Sequence, residues 1–284
     1  MQGQRSPSAA RRQLGARLRQ LRDNARLTGK AAGERTGTTH ATISKYETGK
    51  RLPELEQLDQ LLDVYNVPDE SERAVFHELL DDASGDGWWE AYDDVLPHKF
   101  GTYIGLELDA AAVTAYESTL IHGLLETPEY ARALLRAVRV TQYPDEIERL
   151  VEVRMRRKDL FHRSPPLRLT VIMEEAAIHR PVGGTEVMQD QLDYLLQMQR
   201  EEHIRIHILP FSLGAHIGLN GSISLLSFED EPPVGYSEGP TGNNYLTKPR
   251  DISRCKLILQ RLEEAALSTS DTNALIAEAA KELR

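Results

Sequence analysis

The stretch TGKAAGERTGTTHATISKYETGK, residues 28–50, decides how the N-terminal part of the chain folds. Thr28 is placed to cap a short helix running to about Thr36, which Gly37 ends. Thr38 or Thr39 then caps a second run through Glu47, stopped by Gly49. Gly33 is small where two short helices would touch. Gly37, four residues on, supplies a left-handed turn without steric cost. Ile43 and Tyr46, six and nine beyond Gly37, give the second run an apolar face. Two short helices packed at a steep angle need this combination. Thr38, Thr39, His40, Ala41, Thr42 and Lys45 then fall on the exposed side. They are short or hydrogen-bonding, as a groove-reading surface requires.

The flanks agree with a helix-turn-helix. Leu14, Leu18, Leu21 and Ala25 fall in steps of four, three and four, one stripe of an amphipathic helix over 11–25. Pro53 precedes a helix carrying Leu55, Leu58, Leu61 and Leu62, and another is expected over 69–83. Charge divides at the same place: residues 1–51 hold 12 Lys/Arg against 3 Asp/Glu, a balance of +9, and the remainder carries −19. A basic unit suits the polyanionic duplex, which the acidic body does not; a solvated basic tail is the other reading of charge alone.

Thr38 to Lys50 resembles the recognition-helix segment of XRE-type, phage-repressor-like regulators. The resemblance implies that Thr39, His40, Thr42 and Lys45 face base edges, with His40 where that family usually has glutamine. It places Thr38, Ser44, Lys50 and Arg51 nearer phosphates, and implies an ion pair between Arg22 and Glu47. His40 can meet a base edge or a phosphate. Gly29 departs from the pattern, standing where a polar phosphate-contacting side chain is usual, and Ala32 and Thr36 replace larger apolar residues. A soft second helix and one lost phosphate contact are expected.

The expected organisation is a flexible basic arm over 1–10, a five-helix DNA-binding domain over 11–83, a linker at Ser84-Gly85-Asp86-Gly87, and an α+β domain over 88–284. The fold class is mainly α with a mixed-sheet C-terminal domain. Trp88, Trp89 and Tyr92 follow the linker, as a packed wedge or a surface for stacking on bases. Helices are expected over 103–119, 127–138 and 145–161, then near 174–179, 186–201, 251–267 and 272–283. Strands are expected over 167–173, 204–208, 222–228 and 234–236.

The second domain resembles the C-terminal domain of actinobacterial antitoxin-like regulators. The residues that carry this are Tyr103 to Glu107, Ala115-Tyr116-Glu117, Gly123 to Ala133, Arg154, Arg157, Glu174-Glu175-Ala176, Gln191-Leu192, Leu195, Ile208 to Phe211 and Gly214-Ala215-His216. The resemblance implies transcriptional control, with a small protein partner encoded nearby. One recognition helix reads only a few base pairs of double-stranded DNA, so a homodimer on a two-fold operator is expected. A small-molecule effector in a pocket of the α+β part is a further reading. Neutralising a small partner protein, with DNA binding for autoregulation, is the alternative.

No HExxH, GxSxG, phosphate-loop or GxGxxG pattern is present, so no catalytic residue, metal or cofactor is expected. His203, Arg205 and His207 read as a solvated strand face. Arg154, Arg156, Arg157 and Lys158 read as salt-bridge partners or an anion site, and Glu174, Glu175, His179 and His216 as a possible polar pocket. Gly214, Gly218 and Gly221 read as a mobile turn. With one cysteine, Cys255, and no long apolar run, a cytoplasmic protein without membrane contact is expected.

Overall fold

A computed structural model describes residues 7–85, 87–97, 100–138, 143–229, 231–239 and 242–283. The chain divides into two compact units between Glu90 and Ala91, a few residues beyond the expected linker.

The first unit is built from α1 (Pro7–Asn24), α2 (Gly29–Arg35), α3 (His40–Glu47), α4 (Leu55–Val64) and α5 (Glu70–Ser84). Helix α1 starts at Pro7, so residues 7–10 are helical rather than part of an arm; 1–6 lie outside the described residues. Leu14, Leu18, Ala32, Ile43, Tyr46, Leu58, Leu62, Phe76 and Leu79 share one core. Burial of large side chains of this kind contributes about 1.5–3 kcal/mol each.

In the second unit six strands make one mixed sheet, in the order β3-β2-β1-β4-β5-β6: β1 (Ala112–Glu117), β2 (Arg168–Glu174), β3 (Ile204–Leu209), β4 (Ile223–Ser227), β5 (Val234–Gly239) and β6 (Gly242–Leu246). Strands β1, β2 and β3 are parallel neighbours, while β4 to β6 join antiparallel. The parallel pairs need helical crossovers. Helices α7 (Pro128–Val138) and α8 (Pro144–Arg157) supply the first, and α9 (Glu175–His179) and α10 (Thr185–Met198) the second. On one face Val113, Ala115, Leu169, Val171, Ile204 and Ile206 pack with residues of α10 and of α12 (Thr269–Glu282). On the other, Tyr116, Ile172, Leu209 and Leu225 meet Ile252, Cys255, Leu259 and Leu262 of α11 (Pro249–Ala265).

Two expectations about elements change. The helix expected over 103–119 ends early: α6 covers Phe100–Asp109, and Ala112–Glu117 is the strand at the centre of the sheet. Alanines 110–112 and 115 suit a helix by propensity, but pairing on both edges overrides it. Strand β6, with the polar sequence Gly242-Asn243-Asn244-Tyr245-Leu246, was not expected at all. No helix among the described residues is long and apolar enough to cross a membrane.

Candidate nucleic-acid interface

Helix α2 begins behind Thr28, whose Oγ1 accepts from the Ala31 amide at 3.2 Å. It closes at Gly37, with φ +65°, where the Thr38 amide reaches back to the Gly33 carbonyl at 2.8 Å. That left-handed closure satisfies a carbonyl the helix end would otherwise strand. Gly33 is needed for proximity: a Cβ there would sit 2.9 Å from the Thr38 carbonyl oxygen. Helix α3 repeats the device, with Gly49 at φ +66° and the Lys50 amide on the Lys45 carbonyl at 2.9 Å.

Three contacts fix α3 against its neighbours. Ile43 and Tyr46 are buried, and the Tyr46 hydroxyl donates to Gln57 Oε1 at 2.7 Å. Arg22 of α1 meets Glu47 through Nε on Oε1 at 2.6 Å and Nη2 on Oε2 at 3.1 Å. Their side chains are 12% and 11% exposed, and Arg22 also donates to the Leu27 carbonyl. The hydrogen bond to the Glu47 carboxylate raises the Arg22 pKa above its ordinary value. Gly15 of α1 is a third brace that no motif marks: a Cβ there would lie 2.7 Å from the carbonyl oxygens of both Tyr46 and Glu47. Its only trace in the sequence is a glycine inside an otherwise good helix.

The outward face of α3 carries the residues expected to read DNA. Thr39, His40, Ser44, Lys45, Lys50 and Arg51 are exposed, while Thr38 and Thr42 are half-buried. Thr39 has a further job as N-cap, its Oγ1 accepting from the Thr42 amide at 3.1 Å and lying 3.0 Å from Thr42 Oγ1. The two threonines therefore form one hydrogen-bonded pair at the start of the helix. His40 lies against Gly29, in a cleft of about 230 Å³ lined also by Arg19, Arg22, Ile43, Ser44 and Glu47.

In the second unit the basic run at the end of α8 is taken up by internal partners, Arg154 and Arg157 in ion pairs and Lys158 in hydrogen bonds to neutral groups. Arg157 is buried and donates to both oxygens of buried Glu107, each at 2.7 Å, with its guanidinium over the Phe100 and Tyr103 rings. Arg154 binds Glu126, and Lys158 binds the Glu126 carbonyl and the Tyr194 hydroxyl. Burial pushes Lys158 down to about 8 and, with the nearby arginines, His122 down to about 3. Glu117 is pushed up to about 8, chiefly by burial and against a hydrogen bond from Ser222.

Glu174 accepts from the Tyr116 hydroxyl at 2.6 Å and lies 3.1 Å from His216 Nε2. Adjacent Glu175 accepts the Phe211 amide at 2.6 Å and approaches His179 at 3.6 Å. The expected polar group thus assembles as two carboxylate centres that hold residues 211–218. Within the segment Gly214 to Gly221, expected to be a mobile turn, Ile217–Asn220 forms a 3-10 turn with Gly218 against the Tyr116 ring. His203 does not share a solvated face with Arg205: its Nε2 is buried and its ring lies 5.8 Å from that of Phe161. Trp89 is buried and meets Trp88 edge-to-face, which leaves little of its ring for stacking on bases.

A braced helix pair with a polar outward face, joined to an α+β domain, defines a helix-turn-helix regulator. Residues 13–76 match the helix-turn-helix domain family. Residues 100–278 match the domain of unknown function DUF5753, and the chain belongs to that family. No curated protein and no solved structure matches it significantly.

Proposed function

We propose that the chain is a sequence-specific transcriptional regulator of the phage-repressor-like kind. It binds a two-fold operator as a dimer and carries out no chemistry of its own. Thr42 and Lys45, with Thr39 and His40 beside them, read base edges in the major groove. Thr38, Ser44, Lys50 and Arg51 hold the backbone phosphates. The DUF5753 domain supplies control, through a small protein partner or a small-molecule effector, in the cytoplasm at the nucleoid.

The observation that carries this reading is the outward face of α3. Gly33, Ile43, Tyr46 and Glu47 anchor the helix from behind, while His40 and Lys45 are left exposed in front. One recognition helix contacts only a few base pairs, so a dimer is what gives such a face useful specificity. Sequencing the duplexes that the full chain retains from a random pool tests it. An inverted repeat with half-sites about 10 base pairs apart, centre to centre, is expected. Retention without any enriched sequence contradicts the proposal.

A further inference from the structure

Gly29 opens α2 with no positive φ, so backbone freedom is not what this glycine provides. Room is. A Cβ at Gly29 would sit 2.6 Å from Cδ2 and 3.1 Å from Nε2 of the His40 ring, closer than packed atoms approach. The atoms in conflict belong to one exposed side chain, free to swing, and not to the backbone. The ring therefore lies back on α2 only because residue 29 has no side chain.

We propose that Gly29 is a specificity-determining positioning residue that acts through His40. By admitting the ring over the start of α2, it opens to the imidazole nitrogens a position, relative to the DNA that α3 faces, which a larger residue 29 would close. Any side chain at 29 drives the ring outward along α3 and changes what it presents. Gly29 would then be no simple loss of a phosphate contact but one half of a pair with His40. This rests on the reading of α3 as the base-contacting helix.

The test uses the full chain, the duplex the wild type selects, and single-base variants of that duplex, with anisotropy titrations at one salt concentration. Wild type, Gly29→Ala, His40→Ala and the double variant are compared, and thermal melting is followed in parallel. Gly29→Ala is expected to alter discrimination at the base pair where His40→Ala does, by about 5–100-fold. In the His40→Ala background the same change at 29 should do nothing. Wild-type discrimination in Gly29→Ala, or an equal effect of Gly29→Ala with His40 absent, overturns the proposal. So does a fall in melting temperature that His40→Ala does not relieve, because the glycine would then serve the fold. A wild type that discriminates no base pair brings down the α3 reading itself, an outcome distinct from an indifferent Gly29→Ala.

Discussion

Arg22 and Glu47, 25 residues apart in sequence, face each other through two hydrogen bonds that tie α1 to the last turn of α3. Most of both side chains is withdrawn from water. Removing Arg22 strands the Glu47 carboxylate with little solvent to compensate it, whereas removing Glu47 leaves Arg22 paired with Asp23 and the Leu27 carbonyl. Arg22→Ala should destabilise the first unit by about 3 kcal/mol, and Glu47→Gln by clearly less. The double variant should cost clearly less than the sum of the two. Urea denaturation of the four proteins measures this coupling.

The two proposed classes of DNA contact should separate by their response to sequence and to salt. Thr42→Ala and Lys45→Ala should relax base preference, each by about 1–3 kcal/mol against the wrong base. Arg51→Ala should weaken every sequence alike and lower the salt slope by about 1. Titrations on selected and scrambled duplexes at several salt concentrations distinguish these outcomes. Identical behaviour of the two classes would show the assignment of roles to be wrong.

Two glycines in the first unit are there for different reasons. Gly15→Ala gains helix propensity but forces a methyl to 2.7 Å from two carbonyl oxygens. It should lose about 1–3 kcal/mol in net terms, as overpacked sites do. At Gly37 nothing lies within 4 Å of an added Cβ, and the cost comes only from φ +65°. Gly37→Ala should cost about 1–2 kcal/mol, and Gly37→Asn less, since asparagine tolerates that conformation. Thermal melts of the three variants provide the comparison.

Stability of the second unit should vary with pH through Glu117 and His122, in opposite directions. Glu117 has its folded pKa raised to about 8, so its contribution is complete below its ordinary value near 4.5 and is lost as pH rises through 8. His122 is depressed to about 3, so its contribution is complete above about 6.5 and is lost as pH falls toward 3. Glu117→Gln keeps the neutral form at every pH. Between pH 6.5 and 8 the wild type should fall relative to this variant by on the order of 2 kcal/mol. Urea midpoints at pH 5, 6.5 and 8 decide it, and parallel curves for the two proteins would refute it.

The helix-turn-helix was legible because local rules and the tertiary arrangement agree there. Caps at Thr28 and Thr39 and left-handed closures at Gly37 and Gly49 fall where turn chemistry puts them. Strand β1 was not legible, because its alanines carry no period-2 signal and the strand exists through its partners on both sides. Strand β6 opens on Gly-Asn-Asn, shows no period-2 apolar alternation and is defined by its pairing with β5. Long-range fits such as Gly15 on α3 and Gly29 under His40 leave only a glycine in the sequence, with nothing to say what approaches it. In the second unit, Glu107, Arg157, Tyr116, Glu174, Gln191 and His216 stood out by family resemblance. Their shared physical role, as partners in hydrogen bonds out of reach of most solvent, appeared only with the fold.

In the proposed complex the outward face of α3 enters the major groove. Ala41 sits exposed in the middle of that face and carries no proposed contact, so a cysteine there can hold a DNA-cleaving iron chelate. Buried Cys255, its thiol pushed up to about 11, leaves the new cysteine as the reactive one. Bound to the duplex it selects, the labelled Ala41→Cys protein should cut within a few base pairs inside each half-site. Cutting spread evenly along the duplex by labelled protein that still binds it would contradict entry of α3 into the groove.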